Sequence, residues 1–342
     1  MKKTKVWFNR WFSVAYHYIN SIRNNEEGRP FEFYVTHVDP AHMSFQAADY
    51  SEIEPALEPN EYVEYCLEFC KKHEIDVFIP RLKMYAIAKN VKRFEAIGTK
   101  VMVCQDIDLL EQLLEKQKFY ESVAETGVMS IPDYAVVNTA NEFLAAYETL
   151  VAKGHGVCIK PTNSEGGQGF RIVNNERNEL SDLYGSINNY VTTDQVYNII
   201  AKAGGCNDLM VMELLEQAEY SIDCLATASG ELLTAIPRRK ADGRLRVIEE
   251  VPELIELAHR TAAAYKIPFN YNIQIKYNQG IPKLLEINPR MSGGLHITCL
   301  TGINFPYLAV KLLLGEEVAP LTPQFNFMAS HIEKSVIIHT VE

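Results

Sequence analysis

The stretch LLEINPRMSGG, residues 284–294, sets a carboxylate, an amide and a guanidinium at alternate positions, Glu286, Asn288 and Arg290, directly after an apolar run. Alternation is the period of a β-strand, whose residues two apart share a face, so the three head groups converge if the strand persists that far. A carboxylate with a neighbouring amide oxygen suits a hard cation such as magnesium, and a guanidinium beside them suits a phosphate oxygen. Together they describe a site for metal-bound phosphate. The competing reading is a strand end with ordinary capping groups and a surface arginine.

Other stretches carry compatible chemistry. In CIKPTNSEGGQGFRIV, Lys160 ends one strand, and Gly166, Gly167 and Gly169 lie in the turn to the next. Glycines let backbone N–H groups approach an anion, and the lysine adds positive charge. No G-x-x-x-x-G-K-S/T run enters a helix here, so this is not a Walker loop. A mobile tip of this kind suits a lid over phosphates, with a plain hairpin tip as the alternative. VMELLEQAEYSID offers Glu213 and Glu219 around a connection between strands, where backbone groups can read an adenine edge and a carboxylate can accept from ribose hydroxyls. Solvated charge on a strand connection is the simpler account of those two alone. Gln274, in YNIQIKYN, precedes Glu286 across a hairpin whose pairing would set its amide oxygen beside Glu286 and Asn288. The run IPRRKADGR concentrates Arg238, Arg239, Lys240 and Arg244, either to hold an acidic substrate or as a solvated basic loop. His296 sits where a general base would be useful, although a locally hydrogen-bonded helix histidine explains it equally.

The elements that must position these groups follow from periodicity. Short β-rich runs alternate with helical stretches through the first hundred residues: KVWF, Ser13 to Asn24, FEFYVTHV, Glu61 to His73, DVFIP, Tyr85 to Ile97, KVMVC. That rhythm predicts βαβ units and a parallel sheet. The first turn, NRWFSVAYHY, lacks glycine, so the dinucleotide fingerprint of a nicotinamide enzyme is absent. Beyond Asp106 the pattern gives a helix from Leu109 to Gly127, a strand at IPDYAVV and a helix from Thr139 to Lys153. GVCIKP and FRIV read as two strands, followed by a polar helical stretch from Leu180 to Ala203. Strands at DLMVMELL, EYSIDCLAT and ELLTAIPRR come next, with ASG as a tight turn between the last two. The helix PELIELAHRTAAAYK, the YNIQIKYN and KLLEINPR hairpin, the helix PYLAVKLLLG and a β-prone SVIIHTV complete the order.

Bulk composition bounds the function. With 342 residues, 47% hydrophobic and 23% charged, the chain has globular composition and room for more than one core. A net charge of −11 argues against a general nucleic-acid binder, so an anion site must be local. The odd count of 7 cysteines fits reduced thiols in a cytoplasmic protein better than a disulfide framework. Cys66 and Cys70 fall on the inner stripe of a helix rather than in a metal-binding pattern. The opening MKKTKVWFNRWF lacks the apolar core of a signal peptide, and no apolar run has membrane-spanning length.

In this order the motifs resemble the ATP-grasp superfamily, and within it the carbamoyl-phosphate-synthase-like branch, over about residues 110–320. The resemblance implies an α/β and α+β architecture: an ATP-grasp fold over 109–342, with a mobile lid at about 128–210, preceded by a parallel-sheet pre-ATP-grasp domain over 1–108. EKQKF matches the acidic-lysine motif and makes Lys116 a phosphate contact, with Lys118 the weaker candidate. Lys160 matches the strand lysine, and EGGQG, from Glu165 through Gly166, Gly167 and Gly169, the flexible loop. Glu213 with Leu214 and Leu215 matches the adenine hinge, and Glu219 the ribose contact. Gln274, Glu286 and Asn288 match the metal ligands, and Arg290 the arginine of the NPR motif; Arg290 and Lys160 are the catalytic pair. Two departures stand out: Gln217 and Ala218 replace the glycine frequent between the hinge glutamates, and the first metal ligand is an amide. The chain is also too short for both halves of a full carbamoyl phosphate synthase.

These matches imply an ATP- and Mg²⁺-dependent ligase, with Mn²⁺ able to substitute. It would join a small carboxylate to an amine or thiol through an acylphosphate and release ADP and phosphate. Arg238, Arg239 and His296 are the substrate-side candidates. Neither nucleic acid nor membrane is expected as partner, and a homodimer is. An ATP-binding regulatory protein and a small-molecule kinase are the rival readings.

Overall fold

KVWF falls within β1 (Thr4–Asn9), which is buried from Val6 onward. Burial of successive residues, without alternation, is what a parallel strand covered on both faces requires. The computed structural model describes residues 2–162, 167–333 and 335–338. After β1 come α1 (Ala15–Arg23), β2 (Phe31–His37), β3 (Tyr50–Ile53), α2 (Pro59–His73), β4 (Val77–Pro80), α3 (Met84–Ala88), α4 (Val91–Glu95), β5 (Lys100–Val101) and α5 (Ile107–Leu114). The five strands form one sheet in the order β3-β2-β1-β4-β5. Each adjacent pair is parallel. On one face Trp7 stacks between Phe69 and Phe78, at centroid distances of 4.4 and 4.1 Å.

Residues 115–218 contribute α6 (Lys116–Thr126), β6 (Tyr134–Val137), α7 (Ala140–Ala152), β7 (Val157–Pro161), β8 (Arg171–Val173), α8 (Ser181–Tyr184), β9 (Tyr190–Val191), α9 (Thr193–Ala203) and β10 (Leu209–Glu213). Their sheet runs β6-β10-β7-β8-β9, packed by Phe143, Val196, Ile200 and Val211. Both α7 and α9 begin with a capping box, Thr139 with Glu142 and Thr192 with Gln195. The remaining elements are β11 (Glu219–Ala226), β12 (Leu232–Lys240), β13 (Arg246–Ile248), α10 (Pro252–Tyr265), β14 (Phe269–Asn278), β15 (Ile281–Asn288), α11 (Leu295–Thr298), α12 (Phe305–Leu314) and β16 (Phe327–Ala329). They form a third sheet, β15-β14-β11-β12-β13-β16. By contacts the chain divides into two compact units. The first holds residues 1–114, 219–274 and 286–342, and the second holds 115–218 and 275–285.

Several expected elements differ in detail. The helix expected from Leu109 to Gly127 is two helices, because Glu115 adopts an extended conformation, φ −104° and ψ 110°. The one expected from Tyr85 to Ile97 breaks near Asn90, whose side-chain amide donates to the carbonyl of Ala86 at 2.9 Å. The polar stretch 180–203 is helical only at its ends. Upstream and within it, Asn174, Asn178 and Asn188 each accept a backbone N–H two residues on, so the chain turns instead of coiling. SVIIHTV is not a strand over Ser335–Ile338, and the rest of it lies outside the described residues. Among the described residues no single helix is long and apolar enough to cross a membrane.

The ASG turn does join β11 to β12, and Gly230 there has φ +82°. A Cβ at that position would fall on the backbone carbonyl of Lys266, whereas one on Gly243, at φ +60°, would meet nothing. The left-handed conformation alone costs an L-residue about 1–2 kcal/mol. Gly230→Ala is therefore expected to lower Tm well beyond Gly243→Ala, measured by thermal denaturation; equal shifts would contradict the packing described.

Candidate active site

In the first unit, Ile287 is buried on β15, and Glu286 and Asn288 flank it on the opposite face, half-exposed. The Asn288 amide donates to Glu286 Oε1 at 2.8 Å, and Arg290 Nη2 donates to Asn288 Oδ1 at 3.0 Å. The head groups converge as strand alternation requires, in a carboxylate–amide–guanidinium chain. Gln274 lies on the neighbouring β14, between the fully buried Ile273 and Ile275. It makes no hydrogen bond to Glu286 or Asn288 among the described residues. The donor set of one carboxylate and amide oxygens is hard and oxygen-only, which fits magnesium rather than a softer metal.

The basic run is distributed differently from a substrate clamp. Arg238 is 6% exposed and forms a buried ion pair with Asp223, which is fully buried. Its Nη2 lies 3.1 Å from Asp223 Oδ2, and the same guanidinium donates to Ser221, Ser292 and Thr298 at 3.0–3.1 Å. Arg239 pairs with Glu249, Arg244 with Glu333, and Lys240 with Glu219 at 3.4 Å. Arg238 and Arg239 thus each carry a carboxylate supplied by the chain itself. Glu219, the ribose candidate, opens β11 on this same unit. His296 stacks on His17 at 4.4 Å. Burial, followed by the neighbouring His17 and Arg238, pushes its pKa down to about 4, so the ring is neutral near pH 7 and poorly matched to general-base work there.

In the second unit, Lys116 Nζ donates to the carbonyl of Thr162 at 3.3 Å, and Lys160 Nζ stands 5.8 Å from the ring centre of Tyr120. Lys118 pairs with Glu115 at 3.1 Å. Gly169, at φ +73°, packs against Pro161, whose Cδ would lie 2.7 Å from an added Cβ; Gly167 has φ +77° and open surroundings. Glu165 and Gly166 lie outside the described residues.

Glu213 is 1% exposed and occupied. Lys283 donates to it at 2.5 Å, Asn278 at 2.6 Å and the backbone N–H of Asp133 at 3.1 Å. Burial alone would raise its pKa, but these hydrogen bonds outweigh it and hold the carboxyl below its ordinary value. The carboxylate therefore anchors the connection that follows β10 and is engaged within the chain. The N–H of Leu214 is spent on Gly156 at 2.7 Å, whereas that of Leu215 has no backbone acceptor among the described residues. Gln217, at a position where the motif departs from the family, pins the connection to the β14–β15 hairpin: its N–H donates to Tyr277 and its side chain accepts from Gly280. Lys283 and Asn278 belong to no motif and were not singled out in the sequence. The only signal is a lysine set among apolar residues of a strand.

A parallel α/β sheet, a glycine-bearing hairpin and an acid–amide–arginine strand together define the ATP-grasp class of fold. Solved structures agree. N5-carboxyaminoimidazole ribonucleotide synthetase from Thermotoga maritima superposes with a TM-score of 0.63 at 16% identity, covering 94% of this chain and 78% of that one. The biotin carboxylase domain of Hydrogenobacter thermophilus 2-oxoglutarate carboxylase, solved with MgADP and bicarbonate, gives 0.66 at 17% identity, covering 96% and 74%. Residues 205–335 match the family model described as "ATP-grasp in the biosynthetic pathway with Ter operon". The arginine-specific carbamoyl phosphate synthase large chain of Geobacillus stearothermophilus is 25% identical over 289 residues, 82% of this chain and 26% of that protein. Its counterpart from Halalkalibacterium halodurans is 24% identical over 309 residues, 86% and 27%. The chain thus has the ATP-grasp fold, matches an ATP-grasp family model over residues 205–335, is similar to carbamoyl phosphate synthase large chains, and spans about a quarter of the length of these curated relatives.

Because the pKa of Glu213 is lowered in the folded chain, its stabilisation is full above the ordinary carboxylate pKa and is lost as pH falls through the lowered value. Glu213→Gln is expected to cost about 1.5–3 kcal/mol at neutral pH. The deficit against wild type should shrink at acid pH, as measured by urea titration across pH. A pH-independent difference would show that shape, not charge, anchors the hinge.

Proposed function

We propose that the protein is an ATP- and magnesium-dependent ligase that activates a small carboxylate as an acylphosphate and passes it to an amine or thiol, releasing ADP and phosphate. The observation that carries this reading is the Glu286–Asn288–Arg290 chain, which holds an oxygen-donor pair and a guanidinium on one edge of β15. Gln274, Glu286 and Asn288 would hold Mg²⁺, or Mn²⁺ in its place, whose chemistry is to neutralise and orient the β- and γ-phosphates.

Lys116 and Lys160 bind phosphate oxygens, and Gly167 and Gly169 leave room for backbone N–H groups to approach the same anion. The Leu214–Leu215 backbone reads adenine and Glu219 takes the ribose hydroxyls. In the first step the acceptor carboxylate attacks the γ-phosphorus and ADP leaves. In the second the amine attacks the acyl carbon and phosphate leaves. Arg290 and Lys160 stabilise charge on the transferring phosphoryl group, and the rest of the acceleration is positioning. No side-chain nucleophile is required. His296, with its pKa near 4, fits a packing role better than that of a base.

Product analysis with Mg-ATP and pools of amino acids and small carboxylates tests the proposal. ADP and free phosphate should appear together, only when an acceptor pool is present, and Glu286→Gln should slow the reaction by at least about a hundredfold without unfolding the chain. ADP with a phosphorylated acceptor would make the protein a kinase. Mg-ATP binding without turnover in any pool would favour the regulatory reading.

A further inference from the structure

Three imidazole rings meet on the first unit, and the sequence singled out only one of them, His296. His17 on α1 stacks on His296 of α11, with ring centres 4.4 Å apart and planes 12° from parallel. His331, two residues beyond β16, stands nearly edge-on to the same His296 ring at 6.2 Å. His17 and His331 are exposed, and His296 is half-buried. Cross-strand register brings an arginine to the same side of the sheet. Arg246 on β13 lies opposite Lys240 of β12 and Ala329 of β16, and Arg238, two residues from Lys240, shares its face. That is the side on which Arg238 donates to Ser292 and Thr298, the residues that bracket His296 in the chain. It is also the side from which His331 follows, two residues after Ala329.

The carboxylates around this group are engaged elsewhere. Asp223 holds Arg238, Glu219 lies with Lys240 at 3.4 Å, and Glu333 pairs with Arg244. Among the described residues Arg246 donates only to backbone carbonyls, that of Leu245 at 2.7 Å and that of Gly243 at 3.3 Å. Burial and then Arg238 lower its pKa, against a smaller pull from Glu219. The pKa of His17 is lowered by burial and then by His331, and that of His296 by burial, His17, Arg238 and His331; no carboxylate opposes either shift. A set of basic groups without a negative partner gains most from a bound anion, which neutralises the arginine and favours the imidazolium form of a neighbouring histidine. A guanidinium fork matches the two oxygens of a carboxylate.

We propose that Arg246, His17, His296 and His331 form a subsite for a carboxylate of a small organic acid, which binds with uptake of a proton. The subsite stands on this geometry; that the acid is the acceptor rests on the ligase reading above, and on Arg238 and Arg239 being paired already with Asp223 and Glu249. Isothermal titration with tartrate, which stays ionised between about pH 6 and about pH 8, tests it against chloride at matched ionic strength. Wild type should bind tartrate at about millimolar concentration at the lower pH, and at least about threefold more weakly at the higher one. Arg246→Gln should weaken binding at the lower pH at least about tenfold, and Arg246→Lys should recover part of the loss. His331→Gln, at an exposed position that leaves the core intact, should flatten the pH dependence, and Mg-ADP should not compete with tartrate. Equal affinity at both pH values, binding indifferent to Arg246, or none in wild type would overturn the subsite. Competition with Mg-ADP would overturn it too, by making the cluster a nucleotide-phosphate contact. Tartrate binding that depends on Arg246 and on pH, together with no acceptor-dependent phosphate release, would retain the subsite and reject the ligase reading instead.

Discussion

A buried ion pair organises the first unit. Asp223 on β11 and Arg238 on β12 face each other across a hairpin with almost no solvent, an arrangement that repays its desolvation only when the remaining donors and acceptors are satisfied. They largely are: Asp223 accepts from Ser292 and Thr298 at 2.5 Å, and Arg238 reaches the same two hydroxyls and that of Ser221. The Ser292 carbonyl in turn accepts the hydroxyl of Tyr18 on α1. One charge pair thus fixes the loop after Arg290, the end of α11 and a helix of the parallel-sheet region. Gly294 belongs to the same device, since its backbone lies so close to the Arg238 guanidinium that a Cβ would overlap it. Removing either charge from such a pair leaves the other buried and alone, a cost of roughly 3–5 kcal/mol.

Legibility of the site followed the distance along the chain over which each interaction acts. Glu286, Asn288 and Arg290 lie within one strand and its exit, so strand alternation was enough to bring them together. That Glu213 is anchored by other side chains was not legible, because its partners Asn278 and Lys283 come 65 and 70 residues later. Arg238 and Arg239 stood out as a basic run, yet their acidic partners sit 15 and 10 residues away, and composition alone does not separate an arginine that awaits a ligand from one already paired. Of the fold, the parallel sheet was legible where its strands are largely apolar, buried runs, as in β1, β2 and β4; β3 (Tyr50–Ile53), whose alternate residues are exposed, was not among the expected strands. The three-residue strands β13 and β16 were not, since so short a segment carries no period and exists only by pairing with its neighbour.

The second unit assigns its polar groups by a similar division. Side chains around the hinge are spent on one another: Glu213 on Lys283 and Asn278, Gln217 on Gly280, Asp133 on Lys153 and His155. What the connection can offer a ligand is backbone, and backbone amides keep their charge state at every pH. The titratable group behind this connection, Glu213, acts on stability.

The core of the first unit mixes segments far apart in sequence. Val6, Phe8 and Phe33 of the parallel sheet share a cluster with Leu225 and Ile236, and with Phe305, Ala309 and Val310 of α12. During synthesis the opening βαβ units therefore emerge long before the helix that covers them, and their apolar face must wait, collapsed but unsealed, through some two hundred further residues. The order of translation and the order of burial are opposed in this chain. The parallel-sheet segment is made well before α12 yet is closed only once α12 packs on it, so the sealing of this core waits on a helix about two hundred residues further on.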